Sequence, residues 1–219
     1  MAEFDPRNQR LIAKIVYYGP ALSGKTTNLM ALYDELSPAG RGDLMMLNTQ
    51  GDRTLFFDLL PVLVDIGGGI KLKIKLFTVP GQAIHDATRK AVLSRADGVA
   101  FIADSQRNQA LNNYESFMNL EKNACRVGLD FDNLPLVIQF NKRDLKDILS
   151  KEEIEARWKG NGLPVYFASA LYKRGTKETF FGLLRLTLRS LDKQFGLSQH
   201  YGYEEEKIME RIVDSEGDG

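Results

Sequence analysis

Cysteine is almost missing from this chain. Cys125 stands alone among 219 residues, so no internal disulfide can form, and a reducing environment is expected. Net charge is missing too: 29 Lys and Arg offset 29 Asp and Glu. No overall field therefore draws the chain to nucleic acid or to an acidic membrane surface, and no nucleic-acid partner is expected. No apolar run approaches the ~20 residues that a membrane-spanning helix needs. The opening Met-Ala-Glu-Phe-Asp-Pro-Arg has no hydrophobic signal core, and Ala2 stands where myristoylation requires glycine. The closing Asp-Ser-Glu-Gly-Asp-Gly has no cysteine for prenylation. A cytoplasmic protein without a lipid anchor is the expectation. What remains is ordinary for a globular chain: 43% hydrophobic and 26% charged, with the length for one generous domain.

One segment is far from ordinary. Residues 19–26 read Gly-Pro-Ala-Leu-Ser-Gly-Lys-Thr, the G-x-x-x-x-G-K-[ST] pattern of a phosphate-binding loop. Gly19 and Gly24 let the backbone wrap closely, so that N–H groups converge on an anion. Lys25 is placed to neutralise β- and γ-phosphates, and the Thr26 hydroxyl is placed to bind Mg²⁺. The loop as a whole, with Ala21, Leu22, Ser23 and Thr27, is expected to hold the nucleotide. A β-rich run, Leu11–Tyr18, precedes it, and a helical pattern, Thr27–Leu36, follows.

Strand-like and helix-like segments alternate from there on, which argues for a mostly parallel sheet covered on both faces. Leu44–Leu47 is a short apolar run. Gly69–Phe77 alternates apolar residues with lysine, as a strand with one wet face does, near the sheet edge and in a hairpin with its neighbour. Gly98–Asp104 and Leu134–Phe140 have the almost unbroken apolar character of central strands. Residues 107–127 read as a helix, with Cys125 as a small packing residue. Ser150 followed by Glu153 is a capping box opening a short helix. Pro164–Ala168 is the last strand. Residues 175–194 form an amphipathic helix with Phe180, Leu184, Leu188 and Leu191 on one side. The organisation expected is a nucleotide-binding domain over 1–194 and an extension over 195–219. That extension would hold a short helix (203–213, with Ile208, Met209, Ile212 and Val213 as its stripe) and a disordered tail.

The base is indicated by Asn141-Lys-Arg-Asp144, which follows the strand Leu134–Phe140 and so lies at its carboxyl end, beside the phosphate loop. The Asp144 carboxylate can accept hydrogen bonds from N1–H and the 2-amino group of guanine. Adenine offers neither, which would leave the carboxylate buried and unpaired, a penalty that can exceed a few kcal/mol. Asn141 can bridge to N7 or to the phosphate loop, and the Lys142 stem can pack on the base. Ser169-Ala170 matches a short loop whose backbone N–H reaches guanine O6. GTP or GDP is therefore the expected ligand.

With these motifs in order over residues 10–194, the chain resembles the Ras-like small GTPases. Three segments narrow the resemblance: Lys14-Ile-Val-Tyr-Tyr-Gly-Pro, Asp52-Arg-Thr-Leu-Phe-Phe-Asp58 and Thr78-Val-Pro-Gly-Gln82. They look like the bacterial MglA family, the polarity GTPases associated with gliding motility. Most small GTPases carry Asp at the first position of the D-x-x-G motif; Thr78 stands there, as is usual in this family. The resemblance implies a Ras-like P-loop α/β fold with a central six-stranded, mostly parallel sheet flanked by helices. It implies a GTP-hydrolysing switch that acts on polarity or motility effectors, with recruitment to the cell poles. A Roadblock-type GTPase-activating partner, MglB in this family, would bind the switch regions and stimulate a slow intrinsic hydrolysis. A large shift of the strand next to the first switch would accompany nucleotide exchange.

Mechanistic expectations follow from the same resemblance. Gln82, after Gly81 in the second switch, would orient the attacking water, while the Gly81 N–H senses the γ-phosphate. Thr54 would join Thr26 as a ligand of Mg²⁺, and Arg53 would act as an arginine finger in cis. Two residues depart from the simple account. Thr78 cannot supply the carboxylate that usually holds a magnesium-bound water; a water on its own hydroxyl, or Asp52, Asp58 or Asp104, could substitute. Ala21 stands where small GTPases, typical MglA proteins included, carry glycine, and its methyl would crowd the γ-phosphate. A GTP-gated scaffold with negligible hydrolysis is therefore the alternative reading. Phe56, Phe57, Leu59 and Leu60 are expected in the core, with a switch surface as the alternative.

Overall fold

A computed structural model describes residues 2–5, 9–48, 56–67, 69–82, 85–158, 160, 162–202 and 205–213. It is built on one twisted sheet. The strands are β1 (Glu3–Asp5), β2 (Arg10–Tyr18), β3 (Met45–Asn48), β4 (Phe56–Gly67), β5 (Ile70–Thr78), β6 (Gly98–Asp104), β7 (Leu136–Asn141) and β8 (Val165–Phe167). Their order is β3-β4-β5-β2-β6-β7-β8, with β1 paired to the first residues of β2. β5, β2, β6, β7 and β8 run parallel to one another; β3, β4 and β1 join antiparallel. The helices are α1 (Lys25–Glu35), α2 (Asp86–Leu93), α3 (Ala110–Arg126), α4 (Lys151–Trp158), α5 (Thr176–Phe195), α6 (Leu197–Tyr201) and α7 (Glu205–Val213).

The mixed α/β, Ras-like architecture is as expected, but the described residues form eight strands where six were expected. Beyond the expected strands, β1 is added and the short apolar run at 44–47 pairs with β4 as the strand β3. β1 is only three residues long, too short to show a period. β4 is apolar on both faces and carries Pro61, which hides its alternation. Its presence also corrects the placement of β5. That strand forms the expected hairpin with β4, yet lies between β4 and β2 rather than near the edge.

Two cores flank the sheet. On one face Leu11, Ala13, Ile15 and Tyr17 of β2 pack with α1, α5, α6 and α7. On the other, Val16 and Tyr18 pack with residues of α2, α3 and α4. The period-2 alternation of a strand sends successive side chains to opposite cores. β6 and β7 are buried at every residue, as their unbroken apolar runs indicated. The α5 stripe Phe180, Leu184, Leu188 and Leu191 is buried as expected. Cys125 is not: it is exposed on α3, and the neighbouring Ala124 takes the buried position. The capping box is formed. The Ser150 N–H donates to Glu153 Oε2 at 2.7 Å and the Glu153 N–H to Ser150 Oγ at 3.1 Å. α7 lies on the core side of β4 with Ile208, Met209 and Ile212 buried. The expected disordered tail, 214–219, lies outside the described residues. Among the described residues no helix is long and apolar enough to cross a membrane.

Candidate nucleotide site

Every motif singled out above, except those in 49–55, falls at one edge of the sheet, the carboxyl ends of its parallel strands. The phosphate loop follows β2, Thr78–Gln82 closes β5 and follows it, Asn141–Asp144 ends β7 and follows it, and Ser169-Ala170 follows β8. Ligands of open α/β sheets bind along that edge, because the strands end there and the helix N-termini point at it.

The loop is held from inside by a buried polar relay. The Gln139 amide on β7 donates to Asn28 Oδ1 on α1 and to Thr179 Oγ1 on α5, both at 2.8 Å. Asn28 in turn donates to the Gly24 carbonyl at 2.9 Å. Gly24 has φ +94°, and a Cβ there would come within 2.3 Å of Asn141 Nδ2, so only glycine fits. Leu22 takes a left-handed φ of +60° and points outward, 87% exposed. Ser23 is buried, and Thr27 lines the phosphate cleft. Lys25 is buried, with its ammonium donating to the Gly19 and Pro20 carbonyls at 3.0 and 2.6 Å. Burial pushes its pKa down to about 7; nearby Arg89 works in the same direction and Asp58 against it. A polyphosphate beside it would favour the charged form.

Asn141 is 2% exposed and is the joint between the two halves of the site. Its Nδ2 donates to the Ser23 carbonyl and its Oδ1 accepts from the Ala170 N–H, both at 2.9 Å. Of the two roles open to Asn141, the structure thus shows the bridge to the phosphate loop. Of the loop Ser169-Ala170, whose backbone N–H was expected to reach guanine O6, the structure commits the Ala170 N–H to that bridge, while the Ser169 N–H donates to the Arg174 carbonyl at 2.9 Å. Lys142 has φ +65°, and its ammonium pairs with Asp104 at 2.6 Å across the ends of β6 and β7. Asp144 is exposed rather than buried, beside a cleft of about 550 Å³ that Ser169 also lines. Any burial of its carboxylate has to come from the base itself.

A cleft of about 410 Å³ opens beside the phosphate loop, lined by Lys25, Thr26, Phe57, Asp58, Thr78 and Gly81. Asp58 is central to it. The Thr26 hydroxyl donates to Asp58 Oδ2 at 2.6 Å, and the Thr78 hydroxyl to the same oxygen at 2.8 Å. The Asp58 N–H donates back to Thr78 Oγ1 at 2.9 Å. Asp104 is engaged elsewhere, by Lys142 and by Gln106. Phe57 packs on Phe77 with ring centres 5.6 Å apart, and Leu60 is fully buried.

Gln82 is exposed and lines a separate cleft of about 450 Å³ with Ala21, Gly81 and Arg89. A Cβ on Gly81 would lie 2.3 Å from Ala21 Cα, so the backbone at Gly81 rests directly on the phosphate loop at the alanine. Arg89, buried on α2, is a neighbour that no motif announced; a lone arginine in a helix has no local signature. Arg53, Thr54 and Asp52 lie outside the described residues. No group of three or more His, Cys, Asp or Glu side chains that could cage a metal occurs among the described residues. Mg²⁺ needs none: it takes one or two protein oxygens and fills its octahedron with phosphate oxygens and water. The hard oxygens of Thr26 and Asp58 fit it.

A phosphate loop between a central strand and a helix, tied by Asn141 to the Ser169-Ala170 loop on a mostly parallel sheet, defines a small GTPase of the Ras-like class. No protein-family model matches the chain. It is 42% identical over 186 residues to the mutual gliding-motility protein MglA of Myxococcus xanthus (strain DK1622), covering 85% of this chain and 95% of that relative. The chain belongs to the MglA family. As a member it is a GTPase that binds guanine nucleotide.

Proposed function

We propose that this protein is a GTP-dependent molecular switch that governs cell polarity or gliding motility in a bacterium through effectors recognising its GTP-bound form. The observation that carries this is Asn141, buried and bonded at once to the phosphate loop and to the Ser169-Ala170 loop. It couples the phosphate end of the site to the base end, with Asp144 left to read guanine. In this reading Lys25 exchanges its two carbonyl partners for phosphate oxygens. Thr26 and Thr54 would hold Mg²⁺, which would supply positive charge to the nucleotide's phosphates. Arg53 is the finger, and Gln82 orients water. A Roadblock-type partner of the MglB kind stimulates slow turnover, and the protein works in the cytoplasm with recruitment to the poles. Residues 1–194 act as the GTPase domain and 195–219 as an appended segment.

The contact between Gly81 and Ala21 favours a second reading, a GTP-gated scaffold with negligible turnover. A methyl at the place where Gln82 must meet the γ-phosphate leaves nucleotide binding intact and hinders the attack. One set of measurements tests both. The nucleotide that co-purifies is identified, and single-turnover GTP hydrolysis is followed for the protein and for Ala21→Gly, each with and without a Roadblock-type partner. Co-purified GDP or GTP and partner-stimulated phosphate release are expected for the switch. Hydrolysis that stays negligible with the partner and rises in Ala21→Gly selects the scaffold. Equal rates in the two proteins remove the steric argument, and bound adenine nucleotide overturns both readings.

A further inference from the structure

Thr78 leaves the second switch without its usual carboxylate, and the geometry around Thr26 shows where that charge has gone. We propose that Asp58, on β4, holds the magnesium-bound water at this site, with Thr78 as the residue that positions it. The inference rests on the guanine-nucleotide reading above and adds to it the group that retains the metal.

Three features of Asp58 fit the role. First, it accepts the hydroxyl proton of Thr26 at 2.6 Å, which turns the lone pairs of that oxygen away from the carboxylate and makes it a better donor to a cation. Second, the bonds are unevenly shared. Both threonine hydroxyls end on Oδ2, and among the described residues Oδ1 accepts none, which leaves one carboxylate oxygen to take a hydrogen bond from a water. Third, Thr78 Oγ1 accepts the Asp58 N–H at 2.9 Å and donates its own proton to Oδ2 at 2.8 Å, so one hydroxyl anchors the residue's backbone and orients its carboxylate. Of the other candidates, Asp104 is paired with Lys142 and bonded to Gln106, and Thr78 spends its proton on Asp58.

Strand parity explains why position 58 does this. Asp58 shares its face of β4 with Leu60, Val62, Val64 and Ile66, all buried in the core that also contains α1. It is the polar residue at the end of an apolar stripe, where that stripe reaches the first turn of α1 and so Thr26. The charge has moved from β5 to the strand paired with it, with no change in the net charge beside the phosphates. The consequence is mechanical. The carboxylate now stands four residues after Thr54, on the strand that follows the first switch. A slip of β4 by one residue against β5 turns Asp58 to the other face and brings an apolar neighbour over Thr26.

The test is the release of a fluorescent GDP analogue from the full-length protein, measured while free Mg²⁺ is titrated up from excess EDTA. Three proteins are compared: the natural one, Asp58→Asn, and Asp58→Asn combined with Thr78→Asp, which returns a carboxylate to β5. In the natural protein Mg²⁺ should slow release. In Asp58→Asn the Mg²⁺ concentration for half of that slowing should rise by about 10- to 100-fold, the usual effect of losing a group that holds a metal's outer shell, while release in EDTA stays within about twofold. The double variant should recover most of the shift. Superimposable titrations for the natural protein and Asp58→Asn overturn the proposal. So does an Asp58→Asn protein whose release changes as much in EDTA as in Mg²⁺, since that marks a packing role only. If the natural protein fails to bind the analogue, the guanine-nucleotide reading fails instead, and the two failures are told apart.

Discussion

Asp144 is exposed at the end of β7, and none of the described residues donates a hydrogen bond to it. Asp144→Asn would replace one acceptor oxygen by an amide donor. Facing the N1–H and 2-amino donors of guanine, that amide repels where the carboxylate bonded. GDP affinity should fall by about 100-fold or more. Xanthosine diphosphate, whose 2-oxygen can accept from the amide, should recover much of the loss. Competitive displacement of a fluorescent nucleotide measures both, and a GDP loss of under about threefold would contradict the assignment. This expectation could be formed from the sequence because the motif behind it occupies four consecutive residues. The partner of the Ala170 N–H could not be read there, since Asn141 Oδ1 reaches it from 29 residues away in sequence. Asp58 is intermediate: it could be named as one of three candidate carboxylates, but only the pairing of β4 with β5 put it beside Thr26.

Among the elements, α7 and β4 form the pair whose relation matters most. Ile208, Met209 and Ile212 join the same core as Leu60, Val62 and Val64 of β4. The Ser37 N–H donates to the Ile212 carbonyl at 3.3 Å, and Arg211 donates to the Asp65 carbonyl at 2.8 Å. The extension therefore presses on the strand that carries Asp58. Ile208→Ala and Ile212→Ala should each destabilise the protein by about 2–5 kcal/mol, the range for emptying a buried isoleucine site. Urea unfolding checks this, and a loss under about 0.5 kcal/mol would mean that α7 is not docked in solution. The stripe on α7 is plain from its 3.6-residue period, whereas its docking site is not, because an amphipathic face specifies apolar contact without naming the partner. β4 was expected only as the hairpin neighbour of β5, without bounds, because both its faces are apolar along much of its length and the period-2 signal that exposes β5 is absent.

At the scale of the molecule, all the ligand-facing loops hang from one sheet edge, so nucleotide should stabilise the fold as a unit. GDP at 100 times its Kd should add about 2.7 kcal/mol, which for a chain of this size raises Tm by about 5–10 °C. ADP at the same concentration should leave Tm unchanged, and an equal rise with ADP would remove guanine selectivity. The amino-acid sequence alone carried the phosphate-loop pattern, the candidate base-reading segment Asn141–Asp144, the alternation of strands and helices and the amphipathic helices of the C-terminal part. Each of these is written in neighbouring residues, where backbone geometry and side-chain period act over a few positions. Tertiary structure alone decided which carboxylate faces Thr26, which strand α7 covers and that Gly81 rests on Ala21. Those depend on strand register and on packing between distant parts of the chain; a one-residue change of register in β4, for example, would turn Asp58 away from Thr26 while leaving every local pattern as it stands.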